Sequence, residues 1–310
     1  MLQKIRETRL VSATVYYFSG TGNSLAVARD ISRRINAELI PIPTLVDKSK
    51  IHTEADVIGL VFPVYYAEYF GVPLIVWRFA QKLRELGSKY IFAVATHSGN
   101  PASTIENIAK ILEKRSGKLS AGFTVYLDVP YPVSAKLKKA FFGIELDNDS
   151  LKEKIIRKQE RACDAWKVKL ETIIDYVSLR RECKLETPGA FAKILASIFL
   201  PLRRLMFMGR YRQLAVESKK SFYELVPLAD RSFEVNEHCN GCGICLKVCP
   251  VANIILADEK PRWLHSCENC FACYKWCPQE AINGKIVEYG TRIHHPEVKL
   301  SDIINQRSGG

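Results

Sequence analysis

No apolar run in this chain approaches the roughly 20 residues needed to cross a bilayer. Lys4, Arg6, Glu7 and Arg9 interrupt the first ten residues, so these do not read as a secretory signal. An oxidising, disulfide-forming compartment is therefore not expected. No Gly-Lys-Ser/Thr triplet follows a glycine-rich loop, which excludes a Walker-type nucleotide site. No G-x-G-x-x-G fingerprint appears, and nothing else suggests bound NAD(P)H. The chain is basic, with 45 Lys and Arg against 33 Asp and Glu, yet no nucleic-acid motif accompanies the charge. Nucleic acid is not an expected partner.

Cysteine is what the chain does have. Eight of its 10 cysteines fall in two identically spaced runs. The first is Cys239, Cys242, Cys245 and Cys249, followed by Pro250. The second is Cys267, Cys270, Cys273 and Cys277, followed by Pro278. Three closely spaced thiolates can hold three corners of an iron–sulfur cubane, and the fourth ligand must come from farther away. Disulfides, zinc and a dead, clusterless domain are the competing readings. Disulfides need a compartment that the first ten residues do not suggest. Zinc sites rarely use two overlapping four-Cys runs that each end in Pro. No ligand is missing, which argues against a clusterless domain. Cys163 and Cys183 lie outside the pattern and read as ordinary thiols.

Over about residues 236–284 the runs resemble the bacterial two-cluster ferredoxins. In that family the fourth Cys of each run ligates the other cluster. The resemblance thus implies one [4Fe–4S] cluster on Cys239, Cys242, Cys245 and Cys277. It implies a second on Cys267, Cys270, Cys273 and Cys249. The two halves also align as a repeat offset by 28 residues. Gly241 and Gly243 of the first half are matched by Asn269 and Phe271 in the second. The second cluster should therefore sit in surroundings of different shape and polarity, which would split the two potentials.

The N-terminal half carries a second motif. Residues 14–18 (TVYYF) form a β-branched and aromatic run. Ser19, Gly20, Thr21, Gly22, Asn23 and Ser24 follow at once, and Leu25, Ala28, Ile31 and Ile35 then recur at helical spacing. A strand, a small polar loop and a helix make a phosphate cradle of backbone N–H groups and a helix N-terminus. The loop resembles that of the flavodoxins, [ST]-x-T-G-N-[ST]. The resemblance implies a five-stranded parallel sheet of order 2-1-3-4-5 with FMN at its edge.

Further strands are expected at residues 39–41, 57–62, 90–96 and 123–127. Pro63, Val64, Tyr65 and Tyr66 follow the third, and flavodoxin-like proteins present an aromatic loop to the flavin there. Tyr65 and Tyr66 are the stacking candidates, with plain hydrophobic packing as the alternative. Thr96, His97, Ser98 and Gly99 supply the opposite side. His97 is a candidate proton donor, because imidazole titrates near neutrality; a solvated loop histidine is the plainer alternative.

Residues 151–179 read as a long amphipathic helix. Residues 182–230 match neither motif. There Phe191, Ile194, Leu195, Ile198, Phe199, Leu202, Leu205 and Met206 recur at helical spacing, and Pro201 is expected to kink or interrupt the run. Packing between domains, a dimer contact and a membrane-surface contact stay open for it. Residues 136–220 hold 20 Lys and Arg against 11 Asp and Glu, a surplus suited to an acidic protein, an anionic surface or plain solvation. The formal charge of +12 falls to about +6 once two oxidised clusters and an FMN phosphate are counted.

Taken together the chain resembles the flavodoxin–ferredoxin fusion proteins of anaerobic bacteria and archaea. The likeness rests on residues 19–24, the two cysteine runs and the tail TRIHHP at 291–296. It departs after the fifth strand, where many members carry Asn-Tyr and this chain reads LDVPYP, leaving Tyr131 as an aromatic substitute. The implied architecture is α/β: a flavodoxin-like domain over 1–180, a basic amphipathic connection over 181–230, a small α+β two-cluster ferredoxin domain over 231–285, and a tail over 286–310. A cytoplasmic setting in an anaerobe is expected. The implied cofactors are FMN and two [4Fe–4S] clusters, and the implied partner is a ferredoxin or an acceptor enzyme. Electron transfer, reduction of a small substrate at the flavin, and redox sensing or scaffolding remain as rival functions.

Overall fold

Apolar strands alternating with amphipathic helices can bury both faces of a sheet only if helices cover it on two sides. The computed structural model describes residues 12–127, 148–288 and 291–308. It contains strands β1 (Ala13–Tyr17), β2 (Glu38–Pro41), β3 (Val57–Pro63), β4 (Tyr90–His97) and β5 (Leu119–Tyr126) in one parallel sheet. Their order is β2-β1-β3-β4-β5, the flavodoxin-like order. The central strands β3 and β4 are buried nearly throughout. The strand order reverses at β1 and β3, and such a switch opens a crevice at the carboxyl ends of the strands. The expected fifth strand is found with an earlier start. Its first half, Leu119-Ser-Ala-Gly122, is rich in small residues and carries little β signal. Gly122 is required there, because a β-carbon would lie 2.4 Å from Ile105 Cγ2.

Helices α1 (Asn23–Ile35), α2 (Leu74–Lys82) and α3 (Thr104–Glu113) cover the sheet. Helix α4 (Asn148–Ser178) lies against α1 and β5 and buries Ala162, Trp166, Leu170, Ile173 and Val177, and Trp166 Nε1 donates to Asp30 Oδ2 at 2.8 Å. The chain then runs along the free edge of β5. Cys183 N donates to Ser120 O at 3.1 Å and Glu186 N to Gly122 O at 2.9 Å, so that edge is covered rather than exposed. The segment that includes Tyr131 lies outside the described residues.

Pro201 does not end the next helix. Helix α5 runs unbroken over Ala190–Ala215 with Pro201 inside it. Pro201 and Ser197 are both exposed, so water can serve the carbonyl that the proline leaves without a donor. One face of α5 packs through Tyr211 and Leu214 into a second core with Phe222, Leu225, Val226, Phe233 and Tyr274. Ile194, Ile198, Phe199, Leu202, Leu205 and Met206 are exposed on the same helix.

The second core belongs to a small α+β module. Helix α6 (Phe222–Leu228) leads into β6 (Phe233–Val235), which pairs antiparallel with β9 (Ile282–Gly284). Strands β7 (Ile254–Ala257) and β8 (Lys260–Trp263) form an antiparallel hairpin. The short helices α7 (Ile244–Lys247) and α8 (Ala272–Lys275) occupy equivalent places in the repeat and pack on each other. The final helix α9 (Leu300–Ser308) returns to the first layer, where Asp302 pairs with Arg29 at 3.2 Å. The expected tail is thus an integral part of the N-terminal layer. Among the described residues no helix is long and apolar enough to cross a membrane.

Candidate cofactor sites and their junction

Peptide planarity sets the loop after β1, because the C=O and N–H of one peptide unit point in opposite directions. The carbonyls of Ser19, Gly20 and Thr21 each accept a hydrogen bond from the C-terminal part of the chain. Gln306 Nε2 donates to Ser19 O at 2.8 Å, Trp276 Nε1 to Gly20 O at 3.1 Å, and His295 N to Thr21 O at 3.0 Å. The N–H groups of Gly20 and Thr21 therefore face the other way. Neither they nor the N–H groups of Asn23 and Ser24 have a partner among the described residues. Gly22, at φ +93°, makes the turn into α1, and its N–H is held by Ser19 Oγ at 3.0 Å. The result is a nest of backbone donors at a helix N-terminus, suited to a phosphate. Ser24 and Thr96 join it, their hydroxyls 2.7 Å apart and buried. Asn23 is also buried, and its Oδ1 has no partner among the described residues, an opening for one more hydrogen bond. These residues fit a phosphate-bearing cofactor.

The loop after β3 divides its aromatic residues. Val64 N donates to Thr96 O at 2.7 Å and continues the strand pairing made by Pro63. Tyr65 sets its ring edge against Phe18 at 6.2 Å. A β-carbon on Gly20 would lie 3.0 Å from the Tyr65 hydroxyl. Tyr66 takes part in the hydrophobic packing that the sequence left open as the alternative for it. It is buried in the second core with its ring 5.3 Å from Phe222 and 6.2 Å from Tyr211, and its hydroxyl donates to Glu268 O at 2.9 Å. Hydrophobic packing between layers accounts for Tyr66.

His97 ends β4, half-buried, with its ring edge on Tyr126 at 5.9 Å. Its Nδ1 accepts from Gly99 N at 3.2 Å, which leaves the proton on Nε2. Burial holds its pKa below the ordinary value, and Lys169 adds to the effect. Neutral His97 can donate one hydrogen bond but is not a stored proton. Ser98 and Gly99 are exposed beside it.

The eight cysteines lie in two neighbouring groups. Cys239, Cys242, Cys245 and Cys277 line one cavity. Cys249, Cys267, Cys270 and Cys273 are buried together: Cys249 adds to the raised pKa of Cys270 and Cys273, and these two add to that of Cys267. Cys245 and Cys273 also interact, so the sets are neighbours. Burial pushes the Cys245 thiol up to about 11 and the Cys270 thiol up to about 12. Neither would ionise at neutral pH without a metal to hold the thiolate. Two backbone donors at equivalent repeat positions reach the exchanged cysteines: Asn253 N to Cys249 Sγ at 3.2 Å and Ala281 N to Cys277 Sγ at 3.4 Å. Among the described residues no three His, Cys, Asp or Glu close on a single-ion site. Thiols around a cubane stand farther apart than thiols that share one ion.

The second set meets the phosphate loop directly. A β-carbon on Gly20 would fall 2.3 Å from the Cys270 carbonyl oxygen, so only glycine permits this approach. Glu268, between Cys267 and Asn269, reaches into the first layer. Its Oε2 accepts from Ile75 N at 2.9 Å in the first turn of α2, whose N-cap Pro73 supplies no side-chain cap, and its Oε1 pairs with Arg78. Burial raises the Glu268 carboxyl above its ordinary range, and Arg78 and the Ile75 N–H offset part of that. The cysteine spacing and the repeat gave no sign of Trp276, His295, Gln306 or Glu268 as bridging residues.

A sheet of this order joined to a module with these cysteine sets defines a flavodoxin-like α/β layer fused to a ferredoxin-type iron–sulfur module. Residues 232–278 match the 4Fe-4S dicluster domain family. Two solved structures are similar in part. One is a protein of Bacteroides uniformis ATCC 8492 assigned as a flavoprotein, 18% identical, covering 37% of this chain and 89% of its own, with a TM-score of 0.28. The other is a short-chain flavodoxin associated with a bacterial microcompartment, 18% identical, covering 39% of this chain and 86% of its own, with a TM-score of 0.29. No curated protein matches the chain.

Proposed function

We propose that the protein is an electron-transfer iron–sulfur flavoprotein. In this reading FMN is held by the nest of residues 19–24, two [4Fe–4S] clusters by the two cysteine sets, and an external redox partner docks at the outer set. The single observation that carries it is a gradient of exposure. Cys242 is exposed and Cys239 and Cys277 are half-buried, whereas all four cysteines of the other set are buried and Cys270 touches the phosphate loop. When bound, FMN supplies paired or single electron exchange, and a [4Fe–4S] cluster supplies single electrons.

The chain's own residues set the conditions for that chemistry. Ser19, Ser24 and Thr96 add hydroxyls to the backbone donors of the nest. Trp276, His295 and Gln306 fix the loop so that those donors face the ligand. Neutral His97, with its proton on Nε2, has one hydrogen bond to offer. The outer cysteine loop, with Cys242 at the surface, is the natural contact for a ferredoxin or an acceptor enzyme.

The test is anaerobic purification, counting iron, sulfide and FMN per chain, and then mixing with reduced ferredoxin while the flavin spectrum is followed. About eight irons, eight sulfides and one FMN are expected, with rapid flavin reduction. Full clusters without FMN, despite added flavin, would overturn the flavin half of the reading.

A second reading, reduction of a small substrate, has one specific observation in its favour. A cavity of about 380 Å³ opens beside Tyr65 and Tyr66. His97 does not line it, so the catalytic role expected of His97 gains no support from this cavity.

A further inference from the structure

We propose that this 380 Å³ cavity is a binding site for a small planar carboxylate, seated between the flavodoxin-like layer, α5 and the inner cysteine set. The inference deepens the second reading above and rests on it. The volume lies within the range of small-molecule sites. Tyr65, Tyr211 and Phe271 give it aromatic walls, Arg210 and Lys275 bring two positive charges, and no Asp or Glu lines it. Arg210 Nη2 donates to Lys285 O at 3.2 Å and Lys275 Nζ to Ile293 O at 3.0 Å. Neither meets a carboxylate among the described residues, so both keep donors and charge for an anion. Asn269 also lines the cavity. Its Nδ2 donates to Val226 O at 3.1 Å, while its Oδ1 is buried and without a partner among the described residues.

The cysteine repeat adds an independent observation. Gly241 and Gly243 of the first run have φ of +71°, a conformation that suits glycine. Their counterparts Asn269 and Phe271 keep it, at φ +52° and +59°. Asparagine tolerates this region, but phenylalanine is strained there. Strain of this kind persists where the surroundings over-determine it, characteristically at ligand sites. Where the first run has two unstrained glycines, the second thus carries two side chains that both line the same cavity. No such cavity is required to hold the cysteines, because the first run binds its set with glycine at both places.

The probe is trans-cinnamate, a planar conjugated carboxylate, titrated calorimetrically into anaerobic holoprotein whose iron, sulfide and FMN have first been counted. Cinnamate is expected to bind, and the uncharged cinnamamide to bind at least about tenfold more weakly. Arg210→Gln and Lys275→Gln are each expected to weaken cinnamate by about tenfold, with glutamine keeping a donor for the backbone carbonyl. Phe271→Gly is expected to abolish binding while the Tm stays the same or rises, because glycine relieves the left-handed backbone. A merely structural Phe271 would lower the Tm on removal. No binding of cinnamate to protein carrying all its cofactors, or a Phe271→Gly variant that is destabilised yet binds cinnamate normally, would overturn the proposal. Missing FMN in the initial count would instead tell against the flavoprotein reading, and the cavity titration is read on that protein all the same.

Discussion

His295 lies under the phosphate loop with 3% of its surface exposed, and it carries a pH dependence of known sign. Its N–H holds Thr21 O, its Nδ1 accepts from Glu297 N at 3.3 Å, and its Nε2 faces Cys163 Sγ at 3.6 Å. Burial holds its pKa below the ordinary 6.5, against the pull of Glu297 and Asp30. The unfolded chain therefore binds the proton more tightly than the folded one. Its contribution to stability is complete above about pH 6.5 and is lost as the pH falls below that value. Urea unfolding at a series of pH values should show this loss, and His295→Gln should flatten the slope below pH 6.5. At this scale the phosphate loop was legible, because its six residues are contiguous and each small or polar type serves a local need. Its supports were not legible. Trp276 and Gln306 stand more than 250 positions away, and a lone tryptophan or glutamine carries no pattern. Gly20 looked like a phosphate-loop glycine, but the atom that forbids a side chain there is the Cys270 carbonyl oxygen.

Elements were read more completely than their ends. All five strands of the sheet were expected close to where they lie, β5 with a later start, and the long α4 as an amphipathic helix. Of the two outcomes expected at Pro201, interruption does not occur: α5 passes through it, and the Ser197 carbonyl that loses its donor belongs to an exposed residue. The role of α9 was invisible in its sequence, because short polar helices have many uses. In the structure, Gln306 of α9 both donates to Ser19 O and accepts from Ser19 N, each at 2.8 Å. That two-point clamp is buried. Gln306→Ala should leave Ser19 without it and weaken FMN by about tenfold, since two hydrogen bonds are lost. The FMN dissociation constant from flavin fluorescence measures this effect. Iron content per chain should be unchanged, because Gln306 is remote in sequence and hydrogen bonding from every cysteine.

Across the whole molecule, the boundaries expected from sequence are less sharp than the contacts. The second core takes in Tyr66 and Leu74 from the first layer, and Glu268 of the cysteine module caps a helix of that layer. Such sharing could not be read from patterns, because periodicity reports a residue's own element and not what it packs against. The two cysteine sets, by contrast, differ in a way that the repeat announced. The outer set reaches the surface at Cys242, and the inner set is buried. Iron should therefore leave in two phases when an iron chelator is added to the reduced protein, with about half lost first. Cys242→Ser should remove the fast phase and leave the slow one, followed by absorbance of the chelate. A single phase would mean that both sets share one exposure in solution.

The carbonyl ties from Gln306, Trp276 and His295 to the loop at residues 19–21 also impose an order on biosynthesis. A ribosome makes the loop almost 290 residues before it makes Gln306. While the nascent chain grows, the strand and helix that flank the loop can fold, but the loop lacks its outer restraints. The Trp276 tie further depends on the inner cysteine run taking its final form. On the function proposed above, a chain that ends before Gln306 would lack one of the three ties that hold the loop, and capture of a phosphate-bearing cofactor would wait for the polypeptide to be completed.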